Sequence, residues 1–166
     1  MKSVITGCLL ALSSYGLGQQ ASNNTINNIS NLRNMENEAK IVVTEFLTAV
    51  QQGNMEKVGA LVSPDIEWVQ PGSNRVSGVK RSNTEVFGMI GKMFELSDST
   101  LKLTSIKSIS VNGNKVACLL HWNAAQPAGG ILDVNNIDVY TVENGLITKA
   151  EIFTSDLEQE NKFWGE

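Results

Sequence analysis

The chain has 166 residues, 42 % of them hydrophobic, a mean hydropathy of −0.08 and a net charge of −4. That length suits one domain with its own core, and the composition argues against a disordered or membrane-embedded chain. Lys80-Arg81 is the single basic pair. The concentrated basic footprint of a nucleic-acid binder, or of a protein adhering to an anionic membrane, is missing.

The N-terminus has the pattern of a signal peptide. Lys2 precedes an apolar run over residues 4–12, and Ser13, Ser14, Gly16 and Gly18 are small residues near a cut. The run is too short to span a membrane. Residues 1–18 are therefore expected to be a signal peptide, with cleavage near Gly18 or at Ala21. The mature chain would then be periplasmic or secreted, with no membrane attachment after cleavage. Ile5-Thr6-Gly7-Cys8 has the order of a lipoprotein box, but almost no apolar run precedes Cys8. An N-terminal helix of the mature protein is the competing reading, opposed by the polar stretch that follows. Cleavage leaves Cys118 as the remaining cysteine, so no intramolecular disulfide can form. Its apolar strand makes Cys118 a small core residue rather than a nucleophile.

Residues 19–37, rich in Asn and Ser, are expected to form a flexible linker. Residues 38–52 then follow a helical stripe of Ala39, Val42, Val43, Phe46, Leu47 and Val50, ended by Gly53. Asn54 caps a short helix over 55–62, and Ser63-Pro64-Asp65 stops it. Residues 66–70 alternate like a strand, and 75–78 form a shorter one. Ser82 and Glu85 make a capping box for a third helix, which runs to about Leu96. The apolar period then changes to two. Strands are expected over 101–111, with a bulge near Ser105-Ile106, and over 115–123, 131–142 and 146–154. Asn112-Gly113 and Asn144-Gly145 turn the first and last hairpins. Helices followed by a meander give an α+β fold with helices on one face of a curved sheet. Residues 157–166 form an acidic tail that either covers one end of the sheet or stays mobile.

Three segments carry a resemblance to a known family. Residues 42–54 (VVTEFLTAVQQGN) resemble the first helix and turn of ketosteroid isomerases. Pro64-Asp65-Ile66-Glu67-Trp68-Val69-Gln70-Pro71 with Ser77-Gly78 resembles their first strand and loop. Ile137-Asp138-Val139-Tyr140 with Asn144-Gly145-Leu146-Ile147 resembles their last hairpin. Over residues 38–156 the chain resembles the SnoaL-like and ketosteroid isomerase-like family of the nuclear transport factor 2-like superfamily. The resemblance implies a cone-shaped, curved antiparallel sheet wrapped around three N-terminal helices, with one pocket and no cofactor. It also implies a homodimer through the outer sheet face, where Leu119, Val139 and Phe153 have outward parity.

The chemistry implied is altered from that of the isomerases. Their base position falls on Gln70, and a carboxamide cannot take a proton at neutral pH. Their Tyr position falls on Phe46. The second acid is kept as Asp138, so steroid isomerisation by that mechanism is rejected. In an apolar pocket Asp138 would be desolvated and suited to acid/base work. The bland alternative is a carboxylate bonded within the sheet or solvated outside. His121 is the single histidine and invites the His–Asp pairing of SnoaL-like cyclases. Its parity is opposite to that of Val116, Cys118, Leu120 and Trp122, so a bulge would be needed to bring it inside. Phe46, Trp68, Leu120 and Trp122 would form an apolar wall, with Gln70, Asn136 and Tyr140 orienting a polar group of the ligand. One His and no clustered carboxylates offer no metal-ligand spacing, and Gly129-Gly130 is turn chemistry rather than a phosphate loop. Two functions stay open. One is a cofactor-free isomerase, lyase or cyclase acting on a small apolar organic molecule through Asp138. The other is a non-catalytic ligand-binding or dimerisation module.

Overall fold

The computed structural model describes residues 10–165, with side chains described from Asn24 onward. Helix α1 is Leu10–Gln52, and the chain's internal contacts divide it into two units after Met35. Residues 1–9 of the expected signal peptide, with Cys8, lie outside the described residues. The expected flexible linker is corrected, because residues 19–37 are helical within α1. Ile26, Ile29, Leu32 and Met35 recur every third position and give this Asn-rich segment a helical repeat despite its weak propensity. All four are exposed.

The second unit begins at Glu36. In it, α1 buries Ala39, Val42, Val43, Phe46 and Leu47 of the stripe that the apolar spacing predicts, with Ala49 buried beside them and Val50 half-buried. Gly53, at φ +67°, lets the chain leave the helix. Asn54 caps α2 (Met55–Leu61) by accepting from Lys57 N at 3.0 Å. Strand β1 (Val62–Gln70) is longer than expected. Ser63-Pro64-Asp65 falls at a register shift between Val62 and Glu67, where proline's missing N–H costs no regular ladder bond. Strand β2 is Gly78–Lys80, slightly later than the expected 75–78. Helix α3 (Asn83–Leu96) starts where the capping box predicts, with Ser82 Oγ accepting from Glu85 N at 3.2 Å.

The meander follows as β3 (Lys102–Asn112), β4 (Lys115–Ala125), β5 (Ile131–Glu143) and β6 (Leu146–Thr154). The strand order is β2-β1-β6-β5-β4-β3 in one curved, open sheet. The α+β architecture is the expected one, although β1 pairs with β6 in parallel, which makes the sheet mixed. Register shifts at Leu103/Ser105 and Ile106/Ser108 flank the expected bulge and add local twist. Asn144 and Gly145 both have positive φ, +52° and +75°, the signature of the tight hairpin turn between β5 and β6.

The acidic tail is a helix, α4 (Leu157–Trp164). Asp156 caps it by accepting from Gln159 N at 2.9 Å. Glu160, Phe163 and Trp164 sit at i, i+3 and i+4 and are all buried. Hydrogen bonds tie α4 and its C-cap Gly165 to distant segments. Asp133 N donates to Gln159 Oε1 at 2.6 Å, and Gln126 Nε2 to Phe163 O at 2.7 Å. Asn74 Nδ2 donates to Asn161 Oδ1 at 2.9 Å, and Arg75 N to Gly165 O at 2.9 Å. No described helix is long and apolar enough to cross a membrane.

Candidate functional site

Alternation along β5 sends Leu132, Val134, Asn136, Asp138 and Tyr140 to the inner face, all buried. Between that face and the helices lies a cavity of about 120 Å³. Phe46, Leu47 and Val50 wall it from α1, and Met89, Ile90, Met93 and Phe94 from α3. Trp68 and Gln70 come from β1, Trp122 from β4, and Glu160 and Trp164 from α4.

The polar end is built on Asp138. Tyr140 Oη donates to Asp138 Oδ2 at 2.8 Å, and Asp138 Oδ1 has no partner. Burial pushes the carboxyl up from 3.8 to about 7, against the Tyr140 bond, which favours the charged form; the Glu160 charge adds to the rise. Burial likewise raises the Tyr140 phenol well above its ordinary value, with the Asp138 charge next in size. Phe46 and Trp68 meet the Tyr140 ring edge-on, at centroid distances of 5.5 and 6.3 Å, and hold it in place. Cys118 is Asp138's neighbour across β4. Burial, then the Asp138 charge, pushes its thiol up to about 12, so it stays a neutral core residue.

Glu160 is the residue that sequence reasoning missed. It is 2 % exposed, and its Oε1 accepts from Asn136 Nδ2 at 3.3 Å. Burial raises its carboxyl above the ordinary value, opposed by hydrogen bonds from Thr154, Asn136 and Trp164. Asn136 Oδ1, like Asp138 Oδ1, is buried without a partner. The available signal was the spacing of Glu160 to Phe163 and Trp164, an amphipathic pattern inside a segment read as tail.

Of the expected site residues, the structure gathers Asp138, Phe46, Trp68, Gln70, Trp122, Asn136 and Tyr140 around the cavity. Gln70, at the isomerase base position, is occupied by accepting from Trp68 Nε1 at 3.1 Å. Two expectations are corrected. Leu120 is fully buried in the core but does not line the cavity. His121 lies on the outer face, where Nε2 contacts Asp133 Oδ1 at 2.9 Å and Nδ1 contacts Asn135 Oδ1 at 3.0 Å. β4 runs against β5 without a register shift, so parity holds and nothing rotates His121 inward.

The SnoaL-like domain model matches residues 43–150. The chain belongs to the SnoaL-like domain family. An uncharacterized protein of Mycobacterium bovis is 26 % identical over 123 residues, covering 74 % of this chain and 93 % of its own. A crystal structure from Xanthomonas campestris, of unknown function and cystatin-like fold, superposes with a TM-score of 0.74 at 31 % identity, covering 77 % of this chain and 98 % of that one. An NTF2-like protein of Burkholderia xenovorans gives 0.66 at 16 % identity, over 78 % and 98 %, a likeness of fold. The SnoaL-like match contains Asp138, Asn136 and Tyr140 and ends at residue 150, so Glu160 and Trp164 lie outside the matched span.

Proposed function

We propose that this SnoaL-like protein binds a small, largely apolar organic molecule in the cavity and acts on it without a cofactor, as an isomerase, lyase or cyclase, with Asp138 as the acid/base. The observation that supports this reading is a fully buried carboxyl whose Oδ1 is unpartnered in an apolar cavity. A group titrating near neutrality can both give and take a proton at working pH. The cavity, about 120 Å³, compares with about 150 Å³ for an engineered cavity that binds benzene, so one ring rather than four is the fitting size. The test is exchange of the α-hydrogens of cyclohexanone in D₂O, followed by NMR. Saturable exchange lost in Asp138→Asn is expected. Equal exchange in both proteins would remove the acid/base role and leave the binding module.

Export and pairing belong to the same proposal. Residues 1–18 would direct the protein to the periplasm or outside the cell. Leu119, Ile137 and Phe153 stand in register across β4, β5 and β6 on the outer face, with Ile137 49 % and Phe153 56 % exposed. With Val139 on the same face, this row suits a homodimer. Sedimentation at micromolar concentration should show twice the chain mass.

A further inference from the structure

The polar end of the cavity carries two carboxyls and two unpaired buried acceptor oxygens, and the Gln70 carboxamide and the Trp122 indole in its wall carry neutral N–H donors. Asn136 Nδ2 is committed to Glu160. The Tyr140 hydroxyl is committed to Asp138, and the Trp164 side chain beside Glu160 favours the charged form of that carboxyl. Among the fully buried side-chain atoms described, two acceptor oxygens are unpaired, Asp138 Oδ1 and Asn136 Oδ1. Both residues line the cavity together with Glu160, and none of the lining residues is Lys, Arg or His. Two carboxyls are thus buried at one end of a cavity that supplies no positive charge. The rest of the wall includes the aromatic rings of Phe46, Trp68, Phe94, Trp122 and Trp164.

We propose that the pocket is selective for a protonated amine on a single ring, its ammonium seated between Asp138 and Asn136 within the field of Glu160. An ammonium brings N–H donors to both unpaired oxygens and the charge that the two carboxyls lack. Aromatic faces attract the same cation, most strongly where water is excluded. A neutral hydroxyl has one donor for two acceptors, and a carboxylate meets two acids with no cation to offset them. The proposal rests on the cavity being a ligand site, as proposed above, and adds the class of ligand. It also gives α4 a role that the SnoaL-like match does not contain, because Glu160 enters the site from that helix.

The proposal fixes the sign of a pH dependence. The titratable groups facing Asp138 are Tyr140 on its own strand, Cys118 from β4 and Glu160 from α4. The Tyr140 phenol and the Cys118 thiol keep their protons throughout the neutral range. Asp138 changes charge near pH 7, so the cation-competent form is about one-tenth populated at pH 6 and dominant at pH 8. Apparent affinity for an ammonium should then be about tenfold weaker at pH 6 than at pH 8.

Isothermal titration of the full chain with benzylammonium, benzyl alcohol and benzoate at pH 6 and pH 8 is the test. Expected is binding in the order ammonium, alcohol, benzoate at pH 8, with the ammonium alone losing about tenfold at pH 6. Glu160→Gln should weaken the ammonium about tenfold and benzyl alcohol far less, while His121→Ala on the outer face should leave the binding of all three compounds unchanged. Asp138→Asn should abolish the pH dependence. Benzyl alcohol binding as tightly as the ammonium, or an ammonium affinity that ignores pH, overturns the amine selectivity and leaves the pocket standing. Failure of all three compounds to bind overturns the selectivity and the ligand site together.

Discussion

Replacing Asp138 by Asn keeps the side chain's shape and its acceptor for Tyr140 Oη, and removes only the ionisation. In the unfolded chain Asp138 loses its proton near the ordinary 3.8, whereas the folded protein holds it to about 7. Between those values the unfolded state binds fewer protons, so rising pH costs the wild type stability. The interval corresponds to about 4 kcal/mol at about 1.4 kcal/mol per pH unit. Asp138→Asn carries no such penalty, and the other carboxyls are common to both proteins. The variant should gain on the wild type progressively from pH 4 to pH 7 and hold a constant lead above. At about 2–4 °C per kcal/mol for a domain of this size, the lead is on the order of 10 °C in Tm by pH 8. Paired thermal melts from pH 4 to pH 8, followed by circular dichroism, read it directly. A difference between the two proteins that does not change with pH would refute the desolvated-carboxyl reasoning and return Asp138 to an ordinary solvated acid.

Other outcomes follow from the same geometry. Tyr140→Phe removes the donor that favours the charged form, so the Asp138 carboxyl should titrate above 7 in a ¹³C NMR titration. Trp164→Ala removes a buried ring that lines the cavity and should cost about 3–5 kcal/mol in urea denaturation. His121→Ala breaks an outer-face contact with an exposed partner and should cost under about 1 kcal/mol, with benzyl alcohol binding unchanged. Phe153→Glu puts a charge on the outer apolar row and should turn the proposed dimer into a monomer in sedimentation.

Local signals carried most of the elements. The stripe of Val42, Val43, Phe46 and Leu47, the caps at Asn54 and Ser82, and the Asn144-Gly145 turn are each set within a few residues of chain, and each folds as its pattern predicts. Strand parity also held, since β4 and β5 pair without a slip, and this placed Asp138 inside and His121 outside. What depends on long-range pairing was not legible. The parallel β1–β6 pair joins strands far apart in sequence, and no local pattern specifies it. The stretch over 19–37 misled because Asn and Ser composition hid an apolar repeat of period three. The tail misled for a related reason. Glu160 reads as one more acidic residue of a solvated end until Thr154, Asn136 and Trp164 surround it. The alternation of β5 put Asp138 on one face with Val134, Asn136 and Tyr140, and the family resemblance implied that this face turns inward. Only the docking of α4 against the sheet decided that this carboxyl shares a cavity with a second one, because burial and its effect on charge come from segments that meet in space.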